Sequence, residues 1–134
     1  MVHKLFVCTT CASIWKDGKR VGTSGGQLLL DELLKLNQSW SLSSNFLIQS
    51  VECMSACNRP CVVAIAAEGK YTYLFGDLPV DAASLATTAS AILVCASKYA
   101  TQSDGSLPWS ERPAPLKKGI VAKIPPMQEL AVIG

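Results

Sequence analysis

Histidine is nearly missing from this chain: His3 is the only one in 134 residues, and it stands ahead of the first apolar run. It is too far from that run's carboxyl end to act there and is expected to be an ordinary surface side chain. No catalytic acid–base set or hydrolase nucleophile motif stands out elsewhere. Charge is also scarce. Charged residues make up 16% of the chain and the formal net charge is +2, so bulk electrostatics call for neither a nucleic acid nor an anionic membrane as partner. No segment approaches the roughly 18 unbroken apolar residues of a membrane span. The apolar start, Met1 to Val7, is too short for a signal peptide, which makes the cytoplasm the expected compartment. A phosphate-binding loop is missing too, because Gly22-Thr23-Ser24-Gly25-Gly26 lacks the Lys-Ser/Thr ending. Those glycines read as a flexible approach to a helix cap.

What the chain does have is apolar sequence and cysteine. Hydrophobic residues make up 49%, and the length fits one domain with a core that needs no disulfide staples. Five of the six cysteines fall into two groups, Cys8-Thr-Thr-Cys11 and Cys53-Met-Ser-Ala-Cys57-Asn-Arg-Pro-Cys61, each at the end of a strand-like apolar run. In a reducing compartment clustered thiols are better explained by metal binding or redox chemistry than by a disulfide framework. Two thiolate groups from separate segments can supply the four sulfurs of a tetrahedral zinc or of a 2Fe-2S cluster. Thiol redox chemistry at Cys8 and Cys11 is a further reading, but it leaves Cys53 and Cys57 unexplained.

The order of elements supplies a geometric test of that grouping. A strand runs from His3 to Val7, and Lys16-Asp17-Gly18-Lys19-Arg20 lies in the loop that follows. Ser24 and Gln27 form a capping box ahead of the leucine stripe of a helix from Gly26 to Leu36. Phe46 to Glu52 is a second strand. Val62 to Ala67 and Tyr71 to Phe75 form a hairpin around Glu68-Gly69-Lys70, and Asp81 caps a helix reaching Tyr99. The pattern is β-α-β-β-β-α, an α/β fold with a mixed four-stranded sheet. A strand, crossover helix and strand are parallel, so Cys8 and Cys53 end at one edge, and an antiparallel third strand begins there with Cys57 and Cys61. That carboxyl edge is where open α/β sheets place their sites.

Cys53-Met-Ser-Ala-Cys57, followed by Pro60, the strand Val62 to Ile65 and Glu68-Gly69-Lys70-Tyr71, resembles the thioredoxin-like 2Fe-2S ferredoxins and the related quinone-reductase small subunits over residues 1–100. With Pro108-Trp109-Ser110-Glu111-Arg112-Pro113 and Lys123-Ile124-Pro125-Pro126 included, the chain more closely resembles a bacterial family of unknown function labelled predicted metal-binding proteins. Members of that family often accompany cobalamin-biosynthesis genes. The resemblance implies a thioredoxin-like domain with one 2Fe-2S cluster, Cys8 and Cys11 on one iron and Cys53 and Cys57 on the other. The protein would then pass single electrons to a redox partner, with a link to cobalamin or cobalt metabolism, and would not be an enzyme. The ferredoxins usually space their first two ligands more widely than Thr9-Thr10 does, so Cys61 is the alternative ligand. The runner-up is a non-redox zinc or metal-handling module on the same cysteines, disfavoured because structural zinc most often serves loops without a core of their own.

Cys95 falls on the apolar face of the last helix beside Ile92, Ala96 and Tyr99 and is expected to be a core thiol. Lys16, Lys19, Arg20 and Arg59 are read as a solvated loop, with a basic rim around the cluster as the alternative. Residues 101–134 form a proline-rich extended tail after the domain of residues 1–100. Its prolines prevent a helix or central strand, and its apolar residues call for packing on the domain or, through Trp109 and Arg112, on a partner or in a homodimer.

Overall fold

Alternation of buried and open positions makes His3–Cys8 a strand, β1, interior to the main sheet, with Leu5 and Val7 wholly buried. The structure is a computed structural model that describes residues 3–10, 13–54, 61–117 and 119–126, with backbone alone at Ile14, Trp15 and Arg20. After β1 come β2 (Ile14–Lys16), β3 (Lys19–Val21), α1 (Gly25–Asn37), β4 (Phe46–Val51), β5 (Val63–Ala67), β6 (Thr72–Phe75), α2 (Leu85–Thr101) and β7 (Ile120–Ile124). The main sheet has the order β4-β1-β5-β6-β7. β4 lies parallel to β1, with His3 opposite Phe46 and Cys8 opposite Val51, while β5 runs antiparallel to β1.

Core packing follows from register. Leu5 pairs with Ile65, Ile65 with Tyr73, Val7 with Val63 and Val63 with Phe75, and all six are buried. Leu29, Leu30 and Leu33 of α1 and Ala89, Ile92, Ala96 and Tyr99 of α2 join the same cluster. Full burial of each large aliphatic side chain contributes about 1.5–3 kcal/mol.

Several expectations about the elements need correction. The sheet has five strands, not four, because the tail contributes β7 at the edge beside β6, just ahead of Pro125 and Pro126. Edge strands tolerate nearby proline, which cannot continue a ladder. The stretch read as a loop at Lys16 to Arg20 is a hairpin of β2 and β3, closed by Asp17 and Gly18 with φ of 54° and 75°. Two left-handed residues match the twist of a tight hairpin. Helix α2 begins at Leu85, and Asp81 instead holds the preceding turn by accepting from the Ser84 amide at its side chain, 3.1 Å, and its carbonyl, 3.0 Å. The capping box at α1 is half made. Ser24 Oγ accepts from the Gln27 amide at 3.0 Å, while the Gln27 side chain donates to Asp31.

The described residues of the tail pack on the domain. Leu107 and Leu116 are buried with the core cluster, and the Leu107 amide donates to the Tyr73 hydroxyl at 2.9 Å. Trp109 stays 58% exposed, with Lys117 Nζ 4.5 Å from its ring centroid.

His3 is buried rather than at the surface, at the end of β1 remote from Cys8. Its ring stacks on Phe46 and meets Tyr99 edge-on, and its Nε2 lies 2.9 Å from Nζ of the buried Lys70. An ammonium only donates, so Nε2 accepts and the imidazole is neutral. Lys70 Nζ also donates to the Tyr99 and Ala100 carbonyls at the end of α2, both at 3.2 Å. The Tyr99 carbonyl also accepts from the Gln102 amide of the helix cap at 3.3 Å, and a cation there complements the helix dipole.

Burial, and then the Lys70 charge, hold the His3 pKa below its ordinary 6.5, so the unfolded chain takes up this proton before the folded one does. Stability contributed by neutral His3 is therefore complete above pH 6.5 and lost as pH falls below it. The wild-type thermal midpoint is expected to drop below that pH more steeply than that of His3→Gln, which keeps an acceptor but cannot titrate. Circular dichroism melts from pH 8 to 5 that run parallel for the two proteins would refute the assignment.

Candidate metal centre

The parallel pairing of β1 and β4 brings Cys8 beside Val51, so the chain leaving β4 passes Glu52 and Cys53 at the same edge. Cys61 reaches that edge from the other side. The Cys8 amide donates to the Val62 carbonyl at 3.2 Å, and Cys61 is tied to Leu78 by reciprocal backbone bonds of 3.3 Å. Cys8 and Cys61 are each 1% exposed, whereas Cys53 is exposed. Burial first, and proximity of Cys8 second, push the Cys61 thiol up to about 11. Cys61 is therefore a protonated thiol at neutral pH, and a metal bound there has to expel its proton.

Cys11 and Cys57, with Arg59 of the suggested basic rim, lie outside the described residues. Lys16 and Lys19 are exposed. Cys95 is wholly buried in α2, its thiol pushed up to about 12, first by burial. Among the described residues no three His, Cys, Asp or Glu side chains form a metal-binding group. Cys8, Cys53 and Cys61 stand at one sheet edge without closing into such a group among the described residues. Their all-sulfur chemistry fits an iron-sulfur or zinc site of the kind the spacing suggested.

Of the residues that hold this rim, Thr9 and Thr10 stood in the sequence only as spacers and Ser24 only as a helix cap. Thr9 donates twice to the Val51 carbonyl, from its amide at 2.8 Å and its hydroxyl at 3.2 Å. The Thr10 hydroxyl donates to the Glu52 carbonyl, and Cys8 Sγ donates to that carbonyl at 3.5 Å. Ser13 Oγ donates to the Thr10 carbonyl at 2.6 Å. The hydroxyl of the α1 cap, Ser24, donates to the Thr9 carbonyl. Of these hydroxyl bonds only that of Ser13 is local in sequence, the kind short hydroxyl side chains favour, and the others reach distant backbone that no sequence signal marked.

Gly26 belongs to the same frame, and flexibility is not its role. A Cβ at Gly26 would stand 2.0 Å from the Cys8 carbonyl oxygen and 3.2 Å from Thr9 Cα. Only a glycine lets the first turn of α1 press against the backbone of the cysteine loop.

A family model described as "Protein of unknown function (DUF1636)" matches residues 5–126. No curated protein matches the chain. A solved thioredoxin-like 2Fe-2S ferredoxin from Aquifex aeolicus is similar in structure, with 15% identity and a TM-score of 0.55 over 96% of this chain and 98% of that one. The fold is therefore a thioredoxin-like α/β fold.

Because the obstruction at Gly26 is backbone on both sides, Gly26→Ala is expected to destabilise the fold by about 1–3 kcal/mol or more, an overpacking cost no rotamer can relieve. Urea denaturation with an unchanged slope and a lower midpoint is the expected reading. An unaltered midpoint would mean that α1 does not sit this close to Cys8.

Proposed function

We propose that this chain, which belongs to the DUF1636 family of proteins of unknown function, is an electron carrier that holds one 2Fe-2S cluster on four cysteine thiolates. The observation that supports the reading is that Cys8, Cys53 and Cys61 stand at one sheet edge, at the ends of two parallel strands and the approach to a third. The similar fold of a 2Fe-2S ferredoxin supports it. The ligands would be Cys8, Cys11, Cys53 and Cys57, with Cys61 as the alternative to Cys11. A bound cluster would supply reversible one-electron chemistry.

The chain's own residues would do the rest. Cys8, 1% exposed, would shield its side of the site from water, and a drier, less exposed site shifts a cluster's potential. Exposed Cys53 would leave the opposite side open to a redox partner. Thr9 and Ser24 would keep the Cys8 loop fixed to β4 and α1 in both charge states, so that little reorganisation accompanies an electron.

Protein purified without air is expected to absorb in the visible and to bleach on reduction with dithionite. Colourless protein carrying one zinc per chain would instead establish the non-redox reading. Serine at Cys8, Cys11, Cys53 or Cys57 is expected to abolish the absorption, while Cys61→Ser and Cys95→Ser keep it. Loss in Cys61→Ser with retention in Cys11→Ser would exchange those two ligands.

A further inference from the structure

Three groups meet at the end of β1, the Cys8 thiol, the Thr10 hydroxyl and the Glu52 carbonyl. Thr10 Oγ1 lies 3.8 Å from Cys8 Sγ, and both the hydroxyl and the thiol point at the Glu52 carbonyl. The carbonyl only accepts. The hydroxyl and the thiol each carry one proton, so in the thiol state two donors converge on one oxygen.

Binding a metal removes one of those protons. The Cys8 thiol gives its proton to solvent as its sulfur becomes a ligand, leaving the Thr10 hydroxyl proton as the one shared by a neutral carbonyl and an anionic sulfur. Hydrogen bonds to an ionised acceptor are roughly twice as strong as neutral ones. Glu52 is exposed, so water can take over its carbonyl at little cost.

We propose that Thr10 is a positioning and tuning residue, whose hydroxyl turns from the Glu52 carbonyl to Cys8 Sγ when a metal centre is bound. This rests on the reading of Cys8 as a ligand. The turn has two consequences. A hydrogen bond to a ligand sulfur withdraws charge and stabilises the reduced state, raising the reduction potential. Release of the Glu52 carbonyl also frees the peptide next to Cys53, so occupation at Cys8 is signalled to the neighbouring ligand through one proton.

The test compares wild type, Thr10→Val and Thr10→Ser, each loaded with iron and sulfide and, separately, with Co2+ alone. Thr10→Val is expected to keep its cluster with a more negative midpoint potential. It should also lose the shift in iron–sulfur stretching frequencies on transfer to D2O, which Thr10→Ser restores. In the Co2+ form the sulfur-to-cobalt charge-transfer band should move to lower energy in Thr10→Val only. A midpoint, a D2O shift and a cobalt band all unchanged in Thr10→Val would overturn the proposal while leaving the electron-carrier reading intact. Wild type that binds Co2+ but builds no cluster would sink that reading instead, and the cobalt band would then decide on Thr10. Should Thr10→Val fail to fold, the wild-type D2O shift and its size in Thr10→Ser decide, and no shift in either overturns the proposal. Wild type that takes up neither metal overturns both.

Discussion

The cysteine edge depends on how tightly the start of α1 is pressed onto the end of β1. With no Cβ at Gly26, helix backbone rests on the Cys8 carbonyl, and Ser24 can reach the Thr9 carbonyl while capping the Gln27 amide. A helix held there returns the chain to lay β4 parallel to β1, which puts the Val51 and Glu52 carbonyls within reach of Thr9 and Thr10. The residues that set the crossover are thus the ones that aim Cys8. The same contact points the positive end of the α1 dipole at the cysteine loop.

The two ends of β1 solve opposite problems. At the His3 end a buried ammonium is expensive unless every proton finds an acceptor, and Lys70 finds three: the His3 ring and two carbonyls at the end of α2. Tyr99 closes the arrangement by donating its hydroxyl to the Tyr71 carbonyl at 2.5 Å, with its ring 5.2 Å from Lys70 Nζ. Each Lys70 proton is thereby met, while His3 Nδ1 is buried without a hydrogen-bond partner among the described residues. At the Cys8 end buried thiols are cheap while protonated and costly as anions, so the site is stable either as thiols or as metal ligands, and a bare thiolate is disfavoured.

The main elements were legible because their signals are local. Leucine spacing and a serine cap mark α1, alternation marks β1, and Gly69 with φ of 75° marks the turn between β5 and β6. What escaped reading depends on distant partners. β7 is a short run among prolines that becomes a strand because β6 offers an open edge. Lys70 and His3 read as surface residues by type, and burial becomes affordable only through contacts with α2, some thirty residues beyond Lys70. The Asp17-Gly18 hairpin was a local signal and could have been read. At the site the cysteines announced themselves by chemistry, whereas Thr9, Thr10 and Gly26 look like spacers until the backbone they touch is in place.

The asymmetry of the thiols has a direct consequence for how such a rim works. Cys8 and Cys61 are sealed from water, and Cys53 is not. Negative charge placed on the buried sulfurs must be met by donors already in position, because solvent cannot rearrange to screen it. One donor beside Cys8 is the Thr10 hydroxyl, while exposed Cys53 is open to water. On the electron-carrier reading this splits the roles of the two strands. β1 with its threonines sets the energy of the site, and the end of β4 provides its opening. A partner approaching at Cys53 then exchanges charge with a centre whose potential is fixed on the far side, by residues it does not touch.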